Sequence, residues 1–289
     1  MNVSIAKILV PVCGSPRDEI AMTVAVHAAI PFNSHIQVFS AYPDPALAIP
    51  LVGAPMTQEV IRAIIDGQTH HANAVAAQAR GAMAAVCRRE GVQIVEKPVR
   101  KDVVTCSFRR ICCDVQRAIC EAASLSDLVV FGAVHWRENS EFNEAFLDVL
   151  RDVRRPILVS NSQTVVRLRN IAVGWDGSRA AAQAIVCAMP FLKCAERVDV
   201  ITLQKSGDSQ TPMTDLNDYL VRNDVNVVYR TRDAERNDPA GILLVEASAA
   251  GADMLVAGGY GHDHLREALF GGVTQSLLAK ADIPILFAR

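Results

Sequence analysis

The feature that most restricts the fold of this chain is a repeat. KILVPVCGSP (Lys7 to Pro16) matches NIAVGWDGSR (Asn170 to Arg179) at an offset of 163 (170 minus 7). DLVVFGAVHW (Asp127 to Trp136) matches DMLVAGGYGH (Asp253 to His262) at 126, and RPILVSN (Arg155 to Asn161) matches IPILFAR (Ile283 to Arg289) at 128. Three matches in one order imply two copies of one domain. The drop in offset from 163 to 126 places a net insertion of 37 in the middle of the first copy. The polar stretch from Asn161 to Arg169 separates the copies, so domains are expected at 1–162 and 168–289. A chain of 289 residues holds two domains of ordinary size.

Each copy alternates strand and helix. In the first, KILVPV is a continuous apolar run, as in a strand buried on both faces. DEIAMTVAVHAAI has helical apolar spacing, and IQVFSAY is a second strand. A proline-rich loop, Tyr42 to Pro55, leads to a long helical pattern from about Thr57 to Glu90. VQIVEKPV reads as the third strand, Ser107 to Ala123 as a helix, LVVFGAV as the fourth strand and RPILVSN as the fifth. The second copy follows the same plan with a shorter second helix, Thr214 to Arg222. Such alternation predicts an α/β fold with a parallel sheet covered on both faces.

Composition excludes several classes. Hydrophobic residues are 51% and charged residues 21% of the chain, which suits a globular core. A net charge of -2 gives no basis for nucleic acid or an anionic membrane as partner. The N-terminal apolar run is too short for a secretory signal, and no run of eighteen apolar residues occurs, so a cytoplasmic location is expected. None of the eight cysteines forms a CxxC pair; they read as reduced small hydrophobes, and Cys113 and Cys120 as sharing one helix face. The HDH triplet at 262–264 is weak evidence for a metal, and no protein-bound metal is predicted. Ser178 has no recognisable base, so no catalytic residue is assigned.

The chemistry concentrates near the end of the second copy. Gly258, Gly259 and Gly261 follow an apolar strand, and Gly271 and Gly272 precede a helix. Ligands of parallel sheets bind beyond the carboxyl ends of the strands. Free N–H groups at a helix start favour phosphate, and glycine lets phosphate approach the main chain. The same glycines also serve in turns that merely need positive φ. Neither GxxxxGK[ST] nor a complete GxGxxG is present.

Gly258-x-x-Gly261, nine residues, then Gly271 resembles the ATP-binding signature of the universal stress protein family, which continues with Ser or Thr. NIAVGWDGS resembles the family's first strand with its terminal aspartate, and IPILFAR its closing strand. The resemblance spans both copies. It implies two tandem five-stranded parallel-sheet domains with helices on both faces (adenine nucleotide alpha hydrolase-like). It also implies an intramolecular pseudo-dimer, with Pro156 to Ser160 beside Pro284 to Ala288 and with scope for a further homodimer. By position, Asp176 would contact the adenosine part, and Gly258, Gly261 and Gly271 would border the phosphates, with Gly272, Val273 and Thr274 at the helix start. The ligand implied is ATP, or AMP or ADP, bound by a stress-response signalling module with at most slow hydrolysis. One departure is that Gly272 stands where the family has a hydroxyl. In the first copy Cys13 replaces the aspartate, His135 replaces the second glycine, and no glycine occurs from Ala133 to Arg155. One nucleotide site per chain is therefore expected, in the second copy. The alternative is a structural or partner-binding protein on the same fold.

Overall fold

The computed structural model describes residues 4–50, 56–98, 102–132, 140–160, 168–204, 213–233, 238–259 and 272–289. In the first half, strands β1 (Lys7–Pro11), β2 (His35–Tyr42), β3 (Gln93–Ile94), β4 (Thr105–Cys112), β5 (Leu128–Gly132) and β6 (Ile157–Ser160) alternate with helices. The helices are α1 (Arg17–Ala29), α2 (Gln58–Glu90), α3 (Val115–Ser124) and α4 (Ser140–Asp148), the last running into a π-helical turn at Val149–Val153. The second half has strands β7 (Asn170–Trp175), β8 (Arg197–Gln204), β9 (Val227–Asp233), β10 (Met254–Gly258) and β11 (Ile285–Ala288). Its helices are α5 (Arg179–Cys194), α6 (Thr214–Arg222), α7 (Pro239–Ala249) and α8 (Gly272–Lys280).

All strands join one sheet in the order β3-β4-β2-β1-β5-β6-β11-β10-β7-β8-β9. Every pairing within a half is parallel. Among the described residues the one antiparallel pairing joins the halves, with Ile157 opposite Phe287, Leu158 opposite Leu286 and Val159 opposite Ile285. The expected association of the two closing strands is thus observed, and it leaves neither of them as an open edge.

The apolar runs form central strands because both of their faces are covered. Ile8 and Val10 face one core layer with α1, α2, α5 and α6, while Leu9 faces the other with α3, α4, α7 and α8. Both layers run without interruption from one half into the other. The repeat also fixes the amino ends of the strands. The Asp127 carboxylate accepts from the N–H groups of Ala6 and Lys7, both at 2.9 Å, and Asp253 accepts likewise from Arg169 at 2.9 Å and Asn170 at 3.2 Å.

Three expectations change. The run read as the third strand holds only the two-residue β3 at the sheet edge, and the principal strand is β4. Among the described residues the first half therefore has six strands rather than five, β3 being a two-residue addition at the edge. The helix expected from Ser107 begins at Val115, because Asp114 caps it by accepting from Arg117 N–H at 2.8 Å. Cys113 precedes that cap, so it shares no helix face with Cys120.

Candidate functional site

In the second half β7 and β10 are neighbours, while the chain leaves β7 for β8 on the other side. Their carboxyl ends flank the point where strand order reverses, the usual ligand crevice of an open α/β sheet. Asp176 follows β7 directly and is exposed. Its Oδ1 accepts from the N–H of Ser178 at 2.9 Å, which orients the carboxylate within the turn. Gly177 adopts φ +75°, a conformation that glycine takes without strain. Ser178 caps α5, its Oγ accepting from Ala181 N–H at 3.1 Å.

Gly258 ends β10 beside this turn. A Cβ there would lie 2.6 Å from Ala181 N and 2.7 Å from Ala180 C. The first turn of α5 therefore rests on the glycine, and Asp176, the α5 start and Gly258 form one corner. Helix α8 starts at Gly272, where an added Cβ meets nothing within 4 Å. Val273 is 39% exposed, whereas Thr274 is buried at 5%. Gly261 and Gly271, together with His262, Asp263 and His264, lie outside the described residues.

The first half reproduces the corner and fills it. Gly14, the counterpart of Gly177, has φ +78°. Gly132, the counterpart of Gly258, would carry a Cβ 2.9 Å from the Arg17 carbonyl oxygen. Where the second half has Ala181, the first has Asp18, only 4% exposed. The Asp18 carboxylate accepts from Gly14 N–H at 2.7 Å and Cys13 N–H at 3.3 Å, and it receives the Cys13 thiol at 3.8 Å. An internal carboxylate thus takes the turn amides that an anionic ligand would need. Burial pushes the Asp18 carboxyl above its ordinary range, and burial and then Asp18 push the Cys13 thiol up. Cys13 is therefore held as a protonated thiol, the opposite of an activated nucleophile. Helix α2 closes the corner from above: a Cβ on Gly14 would meet Val75 Cγ1 at 2.9 Å. Sequence reasoning missed Asp18 and Val75, although the repeat itself sets Asp18 against Ala181.

Arginines near the junction of the halves engage local partners. Arg151 pairs with Asp148 at 3.1 Å and Asp152 at 3.0 Å, Arg169 with Glu196 at 3.4 Å, and Arg155 donates to the Ser124 carbonyl at 2.7 Å. His70 and His71 are exposed on α2. Among the described residues no three His, Cys, Asp or Glu side chains gather as a metal cluster, and no helix is long and apolar enough to cross a membrane.

Residues 216–289 match the family model described as universal stress protein family. A stress response protein, NhaX, of Bacillus subtilis (strain 168) is 37% identical over 57 residues, covering 20% of this chain and 34% of that protein. The chain therefore spans about a third of that relative's length. A universal stress protein from Archaeoglobus fulgidus superposes with a TM-score of 0.66 at 14% identity, over 98% of this chain and 96% of that one. A putative universal stress protein from Pseudomonas aeruginosa gives 0.56 at 13% identity, over 98% and 93%. The two structural likenesses show the fold along nearly the whole chain, and residues 216–289 carry the sequence match to the universal stress protein family.

Proposed function

We propose that the second half, taken as a domain of residues 168–289, binds ATP or a related adenine nucleotide and serves as a binding and signalling module. The first half, residues 1–162, is its structural partner. The observation that carries this reading is the contrast between the two corners. The first is filled by Asp18 and covered by Val75. The second has alanine at the Asp18 position, an exposed carboxylate at Asp176, and an exposed helix start at Gly272–Val273. In this reading the Asp176 carboxylate accepts from ribose hydroxyls or the adenine amine. Main-chain N–H groups near Gly258, Gly261, Gly271 and Gly272 face the phosphates, aided by the positive end of α8.

Titration of purified protein with ATP, followed by calorimetry, tests the proposal. Wild type binds, and Asp176→Ala weakens binding about tenfold or more, the size expected for a lost charge-assisted hydrogen bond. Acid extraction of freshly purified protein releases adenine nucleotide. Absence of binding at millimolar ATP overturns the reading and favours a partner-binding role on the same fold.

A further inference from the structure

Four sulfur-bearing side chains meet in the first half, away from either corner. Met83 and Cys87 lie four residues apart on one face of α2, Met22 comes from α1 and Cys106 from β4. All four border a single cavity of about 10 Å³, completed by valine and isoleucine side chains. That volume is about one water-sized sphere. The lining offers no oxygen or nitrogen side chain, so a water there would lack the partners it needs. Both cysteines are almost fully buried, at 3% and 2% exposure.

We propose that Cys87, Cys106, Met83 and Met22 form a binding site for one soft monovalent d10 metal ion, Cu(I). Thiolate and thioether donors select Cu(I) over harder ions. Charge balance gives the same answer. An isolated charge in an apolar core is costly, so the stable complex is the neutral one, a +1 ion with one thiolate. Cu(I) displaces one thiol proton to solvent and bonds to that sulfur, and the other cysteine and the thioethers donate as neutral sulfurs. Zn(II) with one thiolate would leave a net buried charge. Access is through α2, which spans 33 residues but is held by a thin stripe of Ala76, Ala79, Met83, Val86 and Cys87. This inference is independent of nucleotide binding.

The test uses full-length reduced protein in which the more accessible Cys112, Cys113 and Cys194 are replaced by serine, titrated anaerobically with Cu(I) against a competing chelator. One equivalent is retained, one proton is released per ion, and X-ray absorption shows a sulfur-only shell. Adding Cys87→Ser or Cys106→Ser weakens retention about tenfold or more. Met83→Leu conserves volume and fold, so it removes a donor alone; it weakens retention measurably while the apo melting temperature stays near that of the parent. Failure to hold copper in the triple-serine protein overturns the proposal. So do unchanged retention after Cys87→Ser and Cys106→Ser together, or a Cys87–Cys106 disulfide in peptide maps in place of bound metal.

Discussion

Gly258 and Gly272 belong to one glycine pattern, yet different constraints hold them. A Cβ on Gly258 would meet main-chain atoms of Ala180 and Ala181 at 2.7 and 2.6 Å, and backbone cannot swing aside as a side chain can. Gly132 meets Arg17 in the same way, so this glycine persists in both halves for packing, with or without a ligand. Gly258→Ala is therefore expected to cost about 1–3 kcal/mol in urea denaturation without nucleotide, the usual penalty of overpacking. Gly272 faces open space, so Gly272→Ser should shift stability by less than about 0.5 kcal/mol. Under the nucleotide-binding proposal, the added hydroxyl at the start of α8 should tighten ATP binding several-fold, a direct hydrogen bond to a charged group being worth about 1.5–3 kcal/mol before ordering costs. Equal denaturation midpoints for Gly258→Ala and wild type would refute the packing role. Glycine spacing in the sequence reveals that something approaches the backbone closely. It does not reveal whether the neighbour is a phosphate or the first turn of the chain's own helix.

At the scale of elements, the apolar strands and most helices were legible because burial on both faces writes itself as continuous apolar runs. Residues 214–222 fold as the helix expected, and Thr57 caps α2 by accepting from Val60 N–H at 3.4 Å. Strand β4 was not legible. Its burial fades from Thr105 towards Cys112, and Arg109 and Arg110 interrupt its alternation because they cover Phe39 and Tyr42 with their guanidinium groups at 5.7 and 4.1 Å. Its pairing depends on a contact distant in sequence: His35 on β2 places Nδ1 at 2.8 Å from Thr105 Oγ1 and Nε2 at 2.9 Å from Ser107 Oγ. Burial, and then the Lys7 ammonium, depress the His35 pKa below its ordinary value. The unfolded chain then binds the proton more readily than the folded one, so stability falls as pH drops through about 6.5 towards the folded value and levels off below it. Urea midpoints measured between about pH 8 and about pH 5 should show this loss in wild type and a flatter profile in His35→Gln. Parallel profiles would show that His35 is not the group responsible.

For the whole molecule, the join between the halves decides whether two domains behave as two. Ile157, Leu158, Val159, Ile285, Leu286 and Phe287 are all at 2% exposure or less, and they alternate between the two core layers. Leu158 and Leu286 share the layer in which Phe32, just after α1, meets Phe191 of α5 edge-to-face at 5.3 Å. On the opposite face Leu150 of the π-helical turn packs where a Cβ on Gly259 would sit, at 2.9 Å. Each half thus completes the core of the other, and separating them would expose both closing strands as bare apolar edges. The family resemblance implied the strand partnership, but the continuity of both layers depends on side chains from helices that the repeat does not align. Unfolding should accordingly be one transition. Hydrogen exchange under mild denaturant should give β1–β2 and β7–β8 the same opening free energy, the mark of a single cooperative unit. Leu286→Ala opens a cavity in the shared layer, and it should lower that free energy by about 2–5 kcal/mol in both sets of strands together. A variant in which β7–β8 exchanges early while β1–β2 keeps wild-type protection would show instead that the halves are coupled only through their connection, and that the first half folds without the second.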